Sequence, residues 1–470
     1  MRTLLLTLIT CVFVLPAYAK YSGGTGEPND PYRIATAADL IALGEDPNDY
    51  DKHFILTADI DLDPNLPGRK VFDKAVIASN WDTPFTGFFD GNSHTISHLT
   101  IIGDSSLGLF GRLEYYMAEV RDLGLVDVNI TGSGSYVGGL VGSNRGSIGQ
   151  CYSTGTLGGA NCVGGLVGSN WGSTTASHST CVVSGNQNVG GLVGYNEYGR
   201  IATSYSTSAV SGRFSVGGLV GNTWSGGVTQ CYSTGTVSGN TYVGGLVGYN
   251  EYGRIATSYS TSAVSGTQDV GGLVGGNYGD VTNCYSSGTV SGNSAIGGLV
   301  GSGDPATVTH SVWDTLNSGL LGSSGGVGLN TSEMMDPYML GLNGFASDPN
   351  WVLDAGRDYP RLAWEGTVGQ SIPAPHIDWL EGQGTSESPY RIETCDQFTM
   401  LSKASILCDK HFVLCADINL DPNLPSGKAF AQAIIPVFMG VFDGNEHTIS
   451  HLTIMGESYL GLFARLESGA

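Results

Sequence analysis

Positive charge is scarce in this chain. Twenty Lys and Arg residues stand against 42 Asp and Glu among 470, a net charge of −22, and such a balance repels phosphate backbones and anionic lipid surfaces. Nucleic acid is therefore excluded as a partner class. Long apolar runs are missing too: after Leu15 no stretch reaches the about 18 residues that a membrane-spanning helix needs, and no membrane insertion is expected of the mature chain. No His-Glu-x-x-His and no phosphate-binding glycine loop occurs, which removes the commonest metalloprotease and nucleotide sites. Helical periodicity is lacking through the middle of the chain, which leaves strands and turns as its building material.

What is present begins with an export address. Arg2, the apolar run Leu4 to Leu15 and the small-x-small triplet Ala17-Tyr18-Ala19 make residues 1–19 a signal peptide cut after Ala19, so the mature chain is expected outside the cell or on its surface. Cys11 is a poor lipidation site because more apolar residues follow it.

Glycine is abundant, with 72 residues, about twice the usual share. The excess comes from the string Gly-Gly-Leu-Val-Gly, which occurs seven times with leucines at Leu140, Leu166, Leu192, Leu219, Leu246, Leu273 and Leu299. The spacing is 26 or 27 residues, a period that marks stacked units, none of which can bury its apolar face alone. A second column follows at Cys151, Ser177, Ser204, Cys231, Ser258, Cys284 and Ser311, always 15 residues before the next leucine. The other leg has 11 or 12 residues and so holds the exposed turn, where insertions are tolerated. Short β-rich pieces punctuated by Gly, Asn and Ser complete each unit. At a strand spacing of about 4.8 Å, seven rungs make a rod of roughly 34 Å.

Such a coil stacks Val137, Val163, Val189, Val216, Val243, Val270 and Ile296 in one column and the seven leucines in another, and these form the expected core. The neighbouring glycines would serve where a Cβ would clash or where φ is positive. Asn144, Asn170, Asn196, Asn250 and Asn277 align at the next turn and can bond to their own copies. Val189 to Gly212 is identical to Val243 to Gly266, so the array grew by duplicating pairs of rungs. The segment Val137 to Ser311, with Gly139-Leu140-Val141-Gly142 and its six relatives, resembles the bacterial GLUG repeat family, found in surface proteins including the non-catalytic parts of some immunoglobulin-A-specific metallopeptidases. The resemblance implies an address and an architecture, and no reaction.

The expected fold is all-β: a parallel β-helix, or β-solenoid, right-handed, with capping modules and a second partial β-helix module at the C-terminus. Residues 20–115 read as the N-terminal cap and first coils, 116–312 as the repeat array, 313–365 as the cap of the first rod with a short helix at Thr331 to Leu340, and 366–380 as a linker. Residues 381–470 copy the N-terminal module, since Pro31-Tyr32-Arg33-Ile34 returns as Pro389-Tyr390-Arg391-Ile392 and Phe89-Asp90-Gly91-Asn92 as Phe442-Asp443-Gly444-Asn445. The copy stops where by analogy a second array would begin, so the chain reads as truncated relative to an ancestor or as a fragment.

Few constellations suggest chemistry. His94 and His98, echoed by His447 and His451, have zinc-protease spacing only if helical, and Thr95-Ile96-Ser97 between them favours a strand, on which they lie about 13 Å apart. Asp59, Asp61 and Asp63, echoed by Asp417, Asn419 and Asp421, would suit calcium by spacing, but Pro64 stands where an EF-hand needs Gly, and a solvated strand face is the plainer reading. No other cofactor is indicated. Cysteines of the array read as small buried residues, whereas two of Cys395, Cys408 and Cys415 could bridge. Just before the glycine of the variable turn, five consecutive rungs carry an aromatic residue: Trp171, Tyr198, Trp224, Tyr252 and Tyr278. Such a column could stack on glycan rings or on the side chains of a surface protein, or could be a ladder that only stabilises the rod. The functional expectation is a non-catalytic adhesion or ligand-binding scaffold, with a polysaccharide-active β-helix enzyme or a purely structural surface spacer as alternatives. The five acids of the array (Glu197, Glu251, Asp269, Asp280, Asp304) are nearly balanced by Arg145, Arg200, Arg213 and Arg254, so the acidity sits in the flanking modules.

Overall fold

Each repeat makes one turn of a coil, and each of its strands pairs with its own copy one turn later. The computed structural model describes residues 20–114, 117–374, 377–456 and 459–467, so the signal peptide expected at 1–19 lies outside the described residues. In one rung Asn161–Gly164, Val167–Asn170 with Ser173–Thr175, and His178–Ser179 with Val182–Ser184 form the three walls. Stacking builds three long sheets of parallel ladders, and the valine column runs in register throughout: Val137 pairs with Val163, Val163 with Val189, and so on to Ile296. The leucines of all seven Gly-Gly-Leu-Val-Gly strings are fully buried, each contributing about 1.5–3 kcal/mol by leaving water.

The N-terminal module belongs to the same rod. Tyr32–Ile34 pairs with His53–Leu56, which pairs with Phe88–Asp90 and then with Glu119–Arg121, all parallel. The helix Ala37–Glu45 opens with a capping box between Thr36 and Asp39, which satisfies N–H groups that the first turn leaves unpaired. It buries Leu40 and Leu43 in one core running from Ile34 to Trp313.

The glycines act differently from half of the expectation. No glycine of the seven strings has positive φ. Instead they allow close backbone approach: a Cβ on Gly244 would lie 1.9 Å from the Val247 carbonyl oxygen. The left-handed corners fall on other residues, at Tyr136, Cys162, Asn188, Ser215, Tyr242, Asp269 and Ala295 before the valine column, and at Gln150, Ala176, Thr203, Gln230, Thr257, Asn283 and His310 before the Cys/Ser column. Such a conformation strains a side-chain-bearing residue, and the ladders on both sides hold it in place.

The Cys/Ser column supports the corner after which it sits. The Ser177 hydroxyl accepts the Cys151 N–H at 3.1 Å and donates to the Thr175 carbonyl at 2.8 Å, and Ser204 repeats this one rung on. A thiol fills the same slot: Cys151 Sγ donates to the Gly149 carbonyl at 3.2 Å, and burial pushes its pKa up to about 12. All eight described cysteines are free thiols, Cys395, Cys408 and Cys415 included, so the bridge considered for that trio is not formed.

The buried asparagines do bond to one another. Asn144 donates to Asn170 and Asn170 to Asn196, each at 2.8 Å, and Asn250 donates to Asn277 at 2.7 Å. Thr223 interrupts the column: its hydroxyl accepts from Asn196 at 3.2 Å, and the side-chain oxygen of Asn250 is left buried without a partner. An unmet buried acceptor costs about 1–3 kcal/mol. Thr223→Asn is therefore expected to raise stability by about 1 kcal/mol, measured as a higher denaturation midpoint at unchanged m-value.

Beyond Ser311 the rod ends differently from the expected simple cap. Val312–Asp314 and Val327–Leu329 extend the third sheet. The chain then turns back along the flank as an antiparallel sheet of Trp351–Leu353, Arg361–Leu362 and Gln370–Ser371. The segment expected as a linker is thus partly a strand, with Ile372 and Leu380 buried beside it. The expected helix shortens to Pro337–Leu342 behind a 3-10 turn at Glu333–Met335, because Pro337 has no N–H to donate and so opens a helix rather than continuing one. The C-terminal copy repeats the first module, Tyr390–Ile392 pairing with His411–Leu414 and this with Val441–Asp443. It shares a core with Val312 and Leu329 of the rod's end, and Arg465 pairs with Asp304 at 2.8 Å.

Candidate functional site

The variable turn lies on the outside of the rod, and the register there corrects the expected aromatic column. Asn170 pairs with Asn196; Glu197, Trp224, Glu251 and Tyr278 then pair in succession. The in-register column therefore alternates aromatic with acid. Tyr198, Ser225 and Tyr252 are the additional residues of three of the four 12-residue legs, each left-handed (φ 56°, 52° and 58°). An inserted residue bulges out of its ladder and re-aims its side chain, which is why Tyr198 and Tyr252 stand 55% and 70% exposed.

The structure brings three of the five aromatics together. Tyr198 lies 5.8 Å from the Trp171 ring and 4.9 Å from the Trp224 ring, both tilted, and the Arg145 guanidinium sits 4.8 Å over Trp171. Tyr278 instead meets Tyr249 at 5.8 Å, and Tyr249 meets Tyr242 at 4.7 Å. Tyr252 touches no other ring among the described residues. Burial raises the pKa of the Glu197 carboxyl. Arg200 and Arg254 are exposed, and neither side chain has a hydrogen-bond or ion-pair partner among the described residues.

A true stacked ladder exists elsewhere, in a column that sequence reasoning overlooked. Tyr152, His178, Tyr205, Tyr232, Tyr259 and Tyr285 stack at 5.1, 4.6, 4.9, 5.0 and 4.9 Å, no two neighbours more than 10° from parallel. Its signal was legible: each residue directly follows the Cys/Ser column. The returning flank covers it, with Trp364 over Tyr205 and Tyr232, Trp351 against Tyr259 and Tyr285, and the Tyr285 hydroxyl donating to the Pro360 carbonyl at 2.6 Å. This ladder is structural, being closed to ligands over its C-terminal half.

His178 gives the ladder a pH dependence. Burial lowers its pKa below the ordinary imidazole value, so the unfolded chain binds the more protons; stability is full above about pH 6.5 and falls as pH drops below it. His178→Tyr is expected to complete the stack and to widen its advantage in melting temperature over the parent as pH is lowered from neutral towards 5. An advantage independent of pH would show that the imidazole is not buried.

The acidic strand does not form the calcium site weighed for Asp59, Asp61 and Asp63. Asp59 faces His94 at 3.2 Å and accepts the Thr95 N–H at 2.8 Å; Asp61 faces His98 at 2.9 Å and accepts the Asp63 N–H at 2.9 Å; Asp63 accepts from Asn65 at 2.8 Å. The carboxylates are occupied as acceptors on two neighbouring strands and do not converge, and no metal-holding group of three or more His, Cys, Asp or Glu gathers among the described residues. The Asp61 hydrogen bond raises the pKa of His98, while the Asp63 N–H and then His98 lower that of Asp61. His447 and Asp417 repeat the pairing at 3.4 Å.

Fold and surface together define a class: an all-β repeat protein whose rungs present side chains outward at fixed spacing. The repeats are GLUG motifs, matched at residues 185–211, 212–238, 239–265 and 266–291. Halomucin of Haloquadratum walsbyi is 34% identical over 141 residues, which are 29% of this chain and 2% of that protein, so the chain spans only a small fraction of the relative it matches. A crystal structure of a candidate immunoglobulin A1 protease from Bacteroides ovatus aligns over 73% of this chain and 95% of its own, at 21% identity and a TM-score of 0.40, a likeness too loose to bear on function.

Proposed function

We propose that the protein is an exported, non-catalytic β-solenoid that binds glycans or surface proteins through the outer face of its array. The observation that carries this reading is the exposure of Trp171, Tyr198, Tyr252 and Tyr278, at 36%, 55%, 70% and 49%, on rungs whose backbone is fixed by ladders on both sides. Rings held this way lose little freedom on binding and offer apolar faces with polar edges, the properties that suit sugar stacking and protein contact. The export address of residues 1–19 and the match to halomucin support an extracellular setting.

One observation bears on the enzyme alternative. Glu197 and Glu251 share a column on either side of Trp224, about 10 Å apart by strand spacing, just beyond the roughly 6.5–9.5 Å between the carboxyl groups of inverting glycosidases. The paired variant Trp171→Ala/Tyr252→Ala separates the readings. Binding through this face predicts loss of retention on polysaccharide or cell-wall columns at nearly unchanged melting temperature. Loss of stability instead, or no retention of the parent, leaves a spacer. Release of reducing ends by the parent that Glu251→Gln abolishes would establish the enzyme.

A further inference from the structure

The two identical rungs enclose a third that differs from them, and the difference makes a notch. Tyr198-Gly199-Arg200 and Tyr252-Gly253-Arg254 are the same three residues two rungs apart, and between them lies Ser225-Gly226-Gly227. Arg200 pairs in register with Gly227, and Gly227 with Arg254. The notch is open, since a Cβ on Gly227 would meet nothing within 4 Å. Its walls are two exposed tyrosines and two guanidinium groups without ion-pair partners, their Cα atoms about 10 Å apart by strand spacing. Asp280 follows Arg254 in the same column, in register but not ion-paired with it.

We infer that this notch is the seat of one acidic sugar of a uronate-bearing glycan. The inference rests on the proposed binding role and names its ligand. The carboxylate sits over Gly227, where two planar forks can approach it from opposite sides; Arg is suited to this because its guanidinium matches a carboxylate with two parallel hydrogen bonds. The sugar ring lies in the gap left by Ser225, against the face of Tyr252 and beside the packed pair Tyr198 and Trp224. A neutral sugar could accept hydrogen bonds from the two guanidinium groups but would leave both positive charges uncompensated. The −22 charge of the chain does not forbid a polyanion here, because the array is close to neutral and charges farther than about 8 Å are screened at physiological salt. The duplication explains the geometry: copying a pair of rungs placed an Arg-Tyr wall on each side of a rung that had none.

The test is titration of the full chain with oligogalacturonate, with dextran as the neutral probe and dextran sulfate as the sulfated one. Oligogalacturonate is expected to bind with an affinity that falls with added salt, and Arg200→Gln/Arg254→Gln to weaken it by about tenfold or more. Gly227→Gln should block the notch and abolish binding with a melting temperature no lower than the parent's. Equal binding of dextran, or indifference to the arginine pair, overturns the inference while leaving an aromatic binding face in place. Tighter, arginine-dependent binding of dextran sulfate overturns the uronate assignment. If no polysaccharide binds the parent at all, the inference fails together with the glycan reading beneath it.

Discussion

Leu219→Asp is expected to open the middle of the rod. Leu219 is fully buried in the single core that runs from Ile34 to Trp313, and no Lys, Arg or His is buried there to neutralise a carboxylate. An unpaired buried charge is among the few single changes that cost more than about 4 kcal/mol. Because each rung of a solenoid leans only on its neighbours, the damage spreads along the axis and not across a globule. Denaturant unfolding should lose its midpoint by a large margin or split into two transitions, and limited proteolysis should cut between the third and fifth rungs. Leu316→Asp, at a site 69% exposed, is the matched control and should melt like the parent. Equal behaviour of the two variants would mean that the leucine column is not core.

Gly244→Ala and Gly227→Ala should differ sharply although they add the same methyl group. Neither glycine has positive φ, and at such a site alanine ordinarily stabilises by about 0.4–1 kcal/mol through the unfolded chain. That gain is expected at Gly227, where a Cβ meets open space. At Gly244 the Cβ would lie 1.9 Å from the Val247 carbonyl oxygen and 2.7 Å from the Gly275 nitrogen of the next rung. Both are backbone atoms fixed in ladders, so the strand must move and a cost of about 3 kcal/mol or more is expected, at or beyond the usual range for overpacking. Melting temperatures of the two variants decide it; parity would place the close approach in doubt.

The contrast between those glycines shows where sequence reasoning stopped. Their place in the repeat marked the Gly-Gly-Leu-Val-Gly residues as special, but two reasons were open, positive φ and close approach, and only coordinates exclude the first. The aromatic face has the same history. Trp171, Tyr198, Trp224, Tyr252 and Tyr278 looked like one column because each falls near a glycine, and the alternation of 26 and 27 residues hid which of them are inserted. Once the ladders are followed, Trp224 stands in line with Glu197 and Glu251, while Tyr198 and Tyr252 bulge from it. The acidic strand gives a related lesson: spacing along Asp59 to Asp63 says nothing of the neighbouring strand, where His94 and His98 pair with two of those carboxylates.

By itself the sequence determined the class of fold, the period and the identity of the apolar core, because a repeated residue stacks on its own copy and the leucine and valine columns stay apolar in every rung. It also determined that the C-terminal module repeats the first. Only the tertiary structure decided what lies across the walls: that residues 351–371 return along the flank to cover the tyrosine stack, that the second module shares a core with the rod's end, and that a rung of Ser and Gly leaves a notch between two arginines. These depend on contacts between residues far apart in sequence or on opposite sides of a corner, and no period records them.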